Sequence, residues 1–360
     1  MSDGSASHKN QKISEERNEM PAKSKDIFVV RCSILGDQNN LLGLAEALKN
    51  EFGGEIKLVD IRFRSRVLET LYLHLIQQKH ESKIWDHVTS FFCVGDIPAK
   101  EEVDGAFVVS TLGAGELPAV YLSKLGAFSI HLGELKRIPY NLIDMTIAHP
   151  GHVTKVDEFK LPCAPSSIDE EKLLPKVKRN DLLVAFGGDT GSLTYSRNFY
   201  EKTLSLAAIA AERNRLTLKI TTSHRTGLRN EEIIQEYIQD RSLKVDQLAL
   251  YNQSDVPSMG FLLSNAAIAL ISAESVSMIS EALAASAKTV AIYEHALPKE
   301  ERISRFLEEQ LCNNQIMLID AISSDYIELA SLQFPSVSWK TPFLSAVHRK
   351  LNKKNIRAAA

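Results

Sequence analysis

The sequence predicts an α/β protein of two domains, each built on a parallel β-sheet, and three observations lead to this prediction. Short apolar runs of strand length alternate with stretches whose apolar residues recur at helical spacing. Strand–helix–strand units of this length indicate parallel pairing, because parallel neighbours need a crossover connection. The chain has 360 residues, which is more than one ordinary hydrophobic core organises.

The composition is that of a soluble globular protein, with 44% hydrophobic and 24% charged residues. A net charge of −3 argues against a general nucleic-acid binder. The four cysteines are scattered without a CxxC pair, which is typical of reduced thiols in the cytoplasm. Since no apolar run reaches membrane-spanning length and no signal-peptide core is present, we expect a cytoplasmic location.

The first half contains the elements of one parallel-sheet domain. We interpret residues 1–25 as a disordered tail, because they are polar with almost no apolar side chains. The first domain is expected at residues 26–162, starting with a strand at 27–32, a helix at 41–49 and a strand at 55–60. Further strands are expected at residues 91–94, 106–110, 128–132 and 143–147.

Loop residues of this half supply the candidate catalytic side chains. The loop Gly36-Asp37-Gln38-Asn39-Asn40 places Asp37 at the mouth of a cleft, where a general base is needed. An Asx turn with a helix cap explains the same residues. His131 and Glu134 lie at another strand end and are second-choice acids or bases.

The second half repeats the plan after a linker. We expect the linker at residues 163–180, the second domain at 181–330, and at 331–360 a helix that crosses back to the first domain and ends in a basic tail. Strands are expected at residues 182–186, 216–221, 247–250, 267–271, 289–293 and 316–319. Ligands of such sheets bind at the carboxyl ends of the strands.

Two loops of the second half are suited to an anion. Gly187 and Gly188 open a glycine-rich segment in which backbone amides can approach a phosphate closely. Its alternative is a tight strand-to-helix turn. In the segment at 221–227, Arg225 can hold a diphosphate bidentately while Thr221 and Ser223 add hydroxyl groups. The alternative there is a solvated loop.

The third such loop begins the most informative stretch, residues 266–293, which predicts strand, turn, helix and strand. Ser275 and Ser277 lie where a helix begins, and its first amides and dipole favour an anion. Glu281 follows Ser277 by one turn on the same face and can bind ribose hydroxyls. Helix capping and dipole compensation explain the same residues. Because three polar loops end neighbouring strands, we expect one anion-binding rim.

Other motifs indicate less specific features. His149-Pro150-Gly151-His152 is a poor zinc signature, so we predict a turn and no metal site. Residues 62–85 mix arginines with aromatic and aliphatic side chains, and residues 340–360 carry six basic and no acidic residues. Both suit an anionic membrane surface, although a packed helix and a solvated helix end are the commoner explanation.

These motifs together resemble the elongated-mitochondria, or mitochondrial fission, family of plants and many bacteria. The resemblance covers most of residues 26–330. It is carried by the helix at residues 43–48 with the preceding Gly36–Asn39 segment, His131-Leu132, the strand at 143–147, Gly187-Gly188, residues 221–226, and most specifically Ser275-Val276-Ser277-Met278-Ile279-Ser280-Glu281-Ala282.

The family is similar to GT-B glycosyltransferases, which face two Rossmann-like domains across a cleft. The resemblance implies that Ser275, Ser277, Ser223 and Arg225 contact a nucleotide-sugar diphosphate, and Glu281 its ribose or sugar. It implies transfer of a sugar to a glycan or lipid-linked acceptor, without a cofactor. Plant members are linked to recruitment of a dynamin-like fission protein, so a non-catalytic scaffold is the alternative. The absence of a GxGxxG fingerprint with a YxxxK pair argues against a sugar-nucleotide epimerase.

Overall fold

The computed structural model describes residues 25–77, 92–153, 155, 158–168, 173–328, 334–335 and 337–359. The predicted tail up to residue 24, and residues 78–85 of the predicted amphipathic segment, lie outside these ranges.

The first sheet has six parallel strands in the order β2-β1-β5-β6-β7-β8. Its central strands are buried along their whole length, as expected where helices cover both faces. Its strands are β1 (Ile27–Val30), β2 (Ile56–Val59), β5 (Phe107–Thr111), β6 (Phe128–Leu132), β7 (Met145–Ala148) and β8 (Glu158–Lys160). Its helices are α1 (Leu35–Phe52), α2 (Arg66–Gln77), α3 (Lys100–Val103) and α4 (Glu116–Lys124).

Two local predictions in this half are wrong. The predicted loop at residues 36–40 forms the first turns of α1, because Gly36 alone does not stop a helix whose buried Leu41, Leu44 and Leu48 continue the pattern. The strand predicted at 91–94 belongs to a separate antiparallel pair of β3 (Ile61–Phe63) and β4 (Cys93–Gly95). Only Cys93 of β4 is buried, as in a strand with one solvated face.

The second sheet has six parallel strands in the order β11-β10-β9-β12-β13-β14. They are β9 (Asp181–Phe186), β10 (Thr217–Thr222), β11 (Gln247–Ala249), β12 (Ala266–Ser272), β13 (Lys288–Tyr293) and β14 (Ile316–Asp320). The helices are α5 (Arg197–Asn214), α6 (Gly227–Asp240), α7 (Met259–Leu263), α8 (Val276–Ala284) and α9 (Glu301–Cys312). The two parallel sheets confirm the predicted α/β fold class with two Rossmann-like domains.

A final helix, α10 (Lys340–Ala359), packs against α1 of the first domain. Trp339 and Phe343 are buried in an apolar cluster that contains residues of both sheets. On the same helix, His348 Nε2 lies 2.7 Å from Glu51 Oε1, and Lys354 Nζ lies 2.9 Å from Asp144 Oδ2. The helix therefore follows the second sheet in the chain and contacts the first in space.

Within the described ranges, no helix combines the length and the apolar content that crossing a membrane requires. The same residues contain no group of three or more histidine, cysteine or acidic side chains arranged for a metal ion.

Candidate functional site

Three loops of the second sheet meet at Gly187. The residue follows β9, while Arg225 follows β10 and Ser275 follows β12. A Cβ atom on Gly187 would lie 2.1 Å from Glu274 Oε1, 2.8 Å from Ser275 Cβ and 3.1 Å from Arg225 Nη2. The structure therefore brings together three of the segments that the sequence predicts as an anion-binding rim.

Gly188 makes this approach possible. Its φ of +94° lies in a region that side-chain-bearing residues rarely adopt. A Cβ atom there would also lie 2.4 Å from the carbonyl carbon of Arg225. The backbone of the two glycine residues is thus pressed directly against the Arg225 loop.

The predicted hydroxyl groups of the Arg225 loop have structural contacts. Ser223 Oγ donates to the Gly187 carbonyl oxygen and accepts the Arg225 N–H at 3.1 Å. Thr221 is buried within β10. In this structure Ser223 therefore joins the two loops, and Arg225 is the half-buried group of its loop that lies next to Gly187.

Glu274 is a site residue that the sequence analysis missed. Its buried carboxylate accepts hydrogen bonds from Tyr195 Oη at 2.7 Å and Ser272 Oγ at 3.0 Å, and Arg225 Nη2 lies 3.9 Å away. Burial raises the pKa of Glu274 above its ordinary range. The signal available was an acidic residue two positions after a buried strand, and its position beside Arg225 indicates that it orients the guanidinium group.

An aromatic pair at the same sheet edge was also missed. The rings of His224 and Tyr251 are both exposed and lie 6.1 Å apart. Thr222 Oγ1 accepts the Tyr251 N–H at 2.8 Å, and buried Glu231 accepts bonds from Thr222 Oγ1 and the Asn252 N–H. These bonds fix the loop after β11 against the loop that carries Arg225.

Helix α8 presents its candidate residues much as its spacing predicts. Ser275 precedes the helix, and its side chain caps none of the helix amides. Ser277 and Glu281 are half-buried on one face, while Ile279 and Leu283 are buried on the other. Glu281 has no hydrogen-bond or ion-pair partner within the described part of the chain, and burial raises its pKa to about 7. Its carboxyl group therefore populates both protonation states near neutral pH.

Asp37 of α1 lies beside a histidine of the predicted turn. His149 Nε2 is 3.9 Å from Asp37 Oδ1 and makes no hydrogen bond to the described residues. Burial lowers the pKa of His149 to about 3, so the ring is neutral at physiological pH. Burial also raises the pKa of Asp37, and the charge of Arg302 partly offsets this effect.

The other two predicted catalytic residues are placed differently. His131 is fully buried in β6, with Nδ1 2.9 Å from Ser110 Oγ, and burial lowers its pKa to about 3. Glu134 is exposed and pairs with Lys155, whose hydrogen bond and charge lower the pKa of Glu134. His131 therefore lies inside the sheet, and Glu134 already has a cationic partner.

A cavity of about 320 Å³ lies between residues of the two sheets. The first domain contributes Glu134, His149 and His152, and α9 of the second contributes Arg302 and Arg305. The His149–His152 turn is present as predicted, closed by the His152 N–H bonding to the His149 carbonyl oxygen at 3.0 Å. The turn after β7 and the start of α9 thus form this cavity together.

Several solved structures resemble the chain at low identity. UDP-GlcNAc 2-epimerase from Methanocaldococcus jannaschii has a TM-score of 0.45 and 11% identity, covering 91% of this chain and 99% of that one. UGT71G1 of Medicago truncatula, complexed with UDP-glucose, has a TM-score of 0.40 and 8% identity, with coverages of 92% and 93%. The O-GlcNAc transferase of Thermobaculum terrenum has a TM-score of 0.42 and 12% identity, with coverages of 94% and 70%.

The comparison with curated protein sequences gave no match. The family model described as mitochondrial fission ELM1 matches residues 36–319. This range contains both sheets except β1 and includes Asp37, the glycine pair, the Arg225 loop and helix α8. With most of its length matched in this way, the chain belongs to the mitochondrial fission ELM1 family.

Proposed function

We propose that this protein is a glycosyltransferase that moves a sugar from a nucleotide-activated donor to a hydroxyl group of an acceptor. The observation that carries the proposal is the meeting of Gly187, Arg225 and Ser275 at the carboxyl edge of the second sheet, where α8 begins. Helix-start amides and a guanidinium group together suit a diphosphate. Because these groups can neutralise the leaving diphosphate, the reaction needs no metal ion.

The donor lies along the second domain in this proposal. Arg225 and the amides near Gly187 and Ser275 bind its diphosphate, and Ser277 and Glu281 on α8 bind ribose or sugar hydroxyl groups. Glu281 suits this role because its carboxyl group has no partner within the described residues. Tyr251 offers an exposed ring on which a nucleobase can stack.

Asp37 is the general base in this proposal. Its raised pKa brings it closer to neutrality, which improves a carboxylate as a proton acceptor. Glu134 is held by Lys155, and His131 is buried within the sheet. Asp37, with its raised pKa and its position beside His149, is therefore the candidate that remains.

The acceptor is a glycan, free or lipid-linked, that approaches from the first domain. The basic face of α10 supports a lipid-linked acceptor, because Arg349, Lys350 and Lys353 are exposed beside Ile356, whose side chain is 69% exposed. Such a face suits peripheral contact with anionic lipids on the cytoplasmic side of a membrane.

Calorimetry with UDP, GDP, CDP and CMP tests the donor site. Replacing Arg225→Ala is expected to weaken binding of the preferred nucleotide by roughly 1.5–3 kcal/mol, the scale of a charge-assisted hydrogen bond. Arg229→Ala, which removes an exposed arginine one turn along α6, is the matched control and should leave the affinity unchanged. If none of these nucleotides binds, the transferase proposal fails and the scaffold alternative is favoured.

Asp37→Asn tests the base separately. We expect near-normal donor affinity and a loss of single-turnover rate of about a hundredfold or more, since proton transfer contributes on that scale. A normal rate with normal affinity would remove Asp37 from catalysis while leaving the donor site intact.

A further inference from the structure

The cavity between the two domains contains polar groups that the proposed donor site does not use. His149 and His152 enter it from the turn after β7, and Arg302 enters from the first turn of α9. Turn and helix are in direct contact, since the Arg302 carbonyl oxygen lies 2.0 Å from where a Cβ atom of Gly151 would be. The cavity is therefore built jointly by both domains.

The acidic groups that line this cavity already have partners. Glu134 forms an ion pair with Lys155, and Glu301 forms one with Arg305. Glu158 accepts hydrogen bonds from a tyrosine hydroxyl group at 2.8 Å and from the Lys155 N–H at 2.8 Å. Their negative charges are thus offset locally.

Two side chains that line the cavity make no hydrogen bond to a described residue. The exposed Arg302 side chain makes no ion pair or hydrogen bond within the described ranges, and its charge lowers the pKa of His149, His152 and Asp37. His149 is 4% exposed, and its Nε2 atom makes no hydrogen bond to any described residue. A buried polar atom without a partner is costly, so a ligand that bonds to it gains free energy.

We propose that this cavity binds an anionic group, a carboxylate or a phosphate, carried by the sugar acceptor. The proposal rests on the proposed glycosyltransferase function. Arg302 of the second domain donates charge-assisted hydrogen bonds to the anion. His149 of the first domain donates from Nε2 in the neutral tautomer that carries its proton there.

This arrangement has two consequences, one for the contact between the domains and one for the pKa of Asp37. Because one donor belongs to each domain, the bound anion bridges the two domains. The negative charge of the anion also lies near Asp37, because Asp37 Oδ1 is 3.9 Å from His149 Nε2. A nearby negative charge raises the pKa of a carboxyl group. The acceptor would therefore make its own general base stronger when it binds.

Three probes that share a glucose ring separate the ligand classes: glucose, glucuronate and glucose 1-phosphate. Each is titrated calorimetrically into the full chain with saturating UDP, so that the donor site is occupied. We expect at least one anionic probe to bind at least ten times more tightly than glucose does. Arg302→Gln should abolish this preference, and Arg302→Lys should retain part of it. Arg241→Gln, which removes an exposed arginine directly after α6, should leave it unchanged.

The outcomes separate this proposal from the donor site. Equal affinity for glucose and both anions, or a preference that survives Arg302→Gln, overturns the anionic subsite. If UDP fails to bind, the proposed function fails, and the titration is repeated without UDP on Arg302→Gln and Arg225→Ala. Loss of the preference in Arg225→Ala alone places the anion at the Gly187 rim and overturns the subsite. A preference for glucuronate indicates a carboxylate-bearing acceptor, and one for glucose 1-phosphate a phosphate-bearing acceptor.

Discussion

At the scale of single residues, Glu281 combines a distinctive sequence position with an unusual environment. It lies one turn beyond Ser277 on α8, half-buried and without a polar partner among the described residues. Its pKa of about 7 is raised by burial from an ordinary value of 4.5. The folded state thus binds the carboxyl proton more tightly than the unfolded state does.

This difference in proton affinity between the folded and unfolded states determines how Glu281 makes the free energy of unfolding depend on pH. Below pH 4.5 the Glu281 carboxyl group is protonated in both the folded and the unfolded state, so it does not destabilise the folded state. Between pH 4.5 and 7 the destabilisation caused by burying the ionised Glu281 carboxylate grows as pH rises, and above pH 7 it reaches its full value. We expect Glu281→Gln to raise the free energy of unfolding at pH 8 by roughly 1–3 kcal/mol and to leave it nearly unchanged at pH 4.5. Urea denaturation at both pH values measures this, and an equal effect at both would contradict it.

Donor binding provides a second test of the same residue. A charged carboxylate accepts hydrogen bonds from ribose or sugar hydroxyl groups better than a protonated one, so donor affinity should rise from pH 6 to pH 8. Glu281→Gln should weaken binding by about 1–2 kcal/mol at pH 8 and remove the pH dependence. Calorimetry at both pH values checks this, with Ser277→Ala as a smaller change on the same face. Unaltered affinity and lost turnover would instead identify Glu281 as the base.

The residue pattern explains how much of this site was predictable. Ser275, Ser277 and Glu281 lie in one stretch whose strand, turn and helix are specified by local periodicity, so their positions could be predicted from spacing. Asp37 and His149 are far apart in the chain, and their proximity depends on how the first turn of α1 and the turn after β7 come together in the fold. No local pattern contains that information.

At the scale of elements, the loops after β9, β10 and β12 act as one unit. Ser223 bonds to Gly187, Gly188 is pressed against Arg225, and Glu274 lies beside both. The sequence indicated each loop from its glycine or hydroxyl content. It did not indicate these cross-loop contacts, because they depend on the strand order of the sheet, in which β9 lies between β10 and β12.

Gly187→Ala is expected to separate these loops. The added Cβ atom would lie 2.1 Å from Glu274 Oε1 and 2.8 Å from Ser275 Cβ, so both must move. We expect nucleotide affinity to fall at least tenfold and the free energy of unfolding to fall by about 1–3 kcal/mol, as for overpacked sites. Gly191→Ala in the same loop is the matched control, since no atom lies within 4 Å of its added Cβ. Equal behaviour of the two variants would show that the Gly187 contact is unimportant.

At the scale of the whole molecule, the two sheets share one buried apolar cluster. Leu41 and Phe107 of the first domain and Ile279 and Phe306 of the second belong to it. Trp339, directly before α10, is 1% exposed within this cluster. The relative position of the domains is therefore stabilised by ordinary hydrophobic packing as well as by surface ion pairs.

Trp339→Ala tests this coupling. Removing a large buried aromatic side chain is expected to lower the free energy of unfolding by about 3–5 kcal/mol. Guanidinium unfolding should then show separate transitions for the two domains, whereas the parent protein should unfold in a more cooperative manner. Lys350→Ala, at an exposed position of α10, is the control. A loss below 1 kcal/mol would contradict a coupling role for Trp339.

The path of α10 has a consequence for how the protein is made. Its His348 ring lies 4.9 Å from the ring of Phe52, and its Phe343 and Val347 are buried in the shared cluster. The ribosome synthesises these residues after both sheets, yet they cover a helix of the first. A nascent first domain therefore exposes this apolar surface throughout translation of the second.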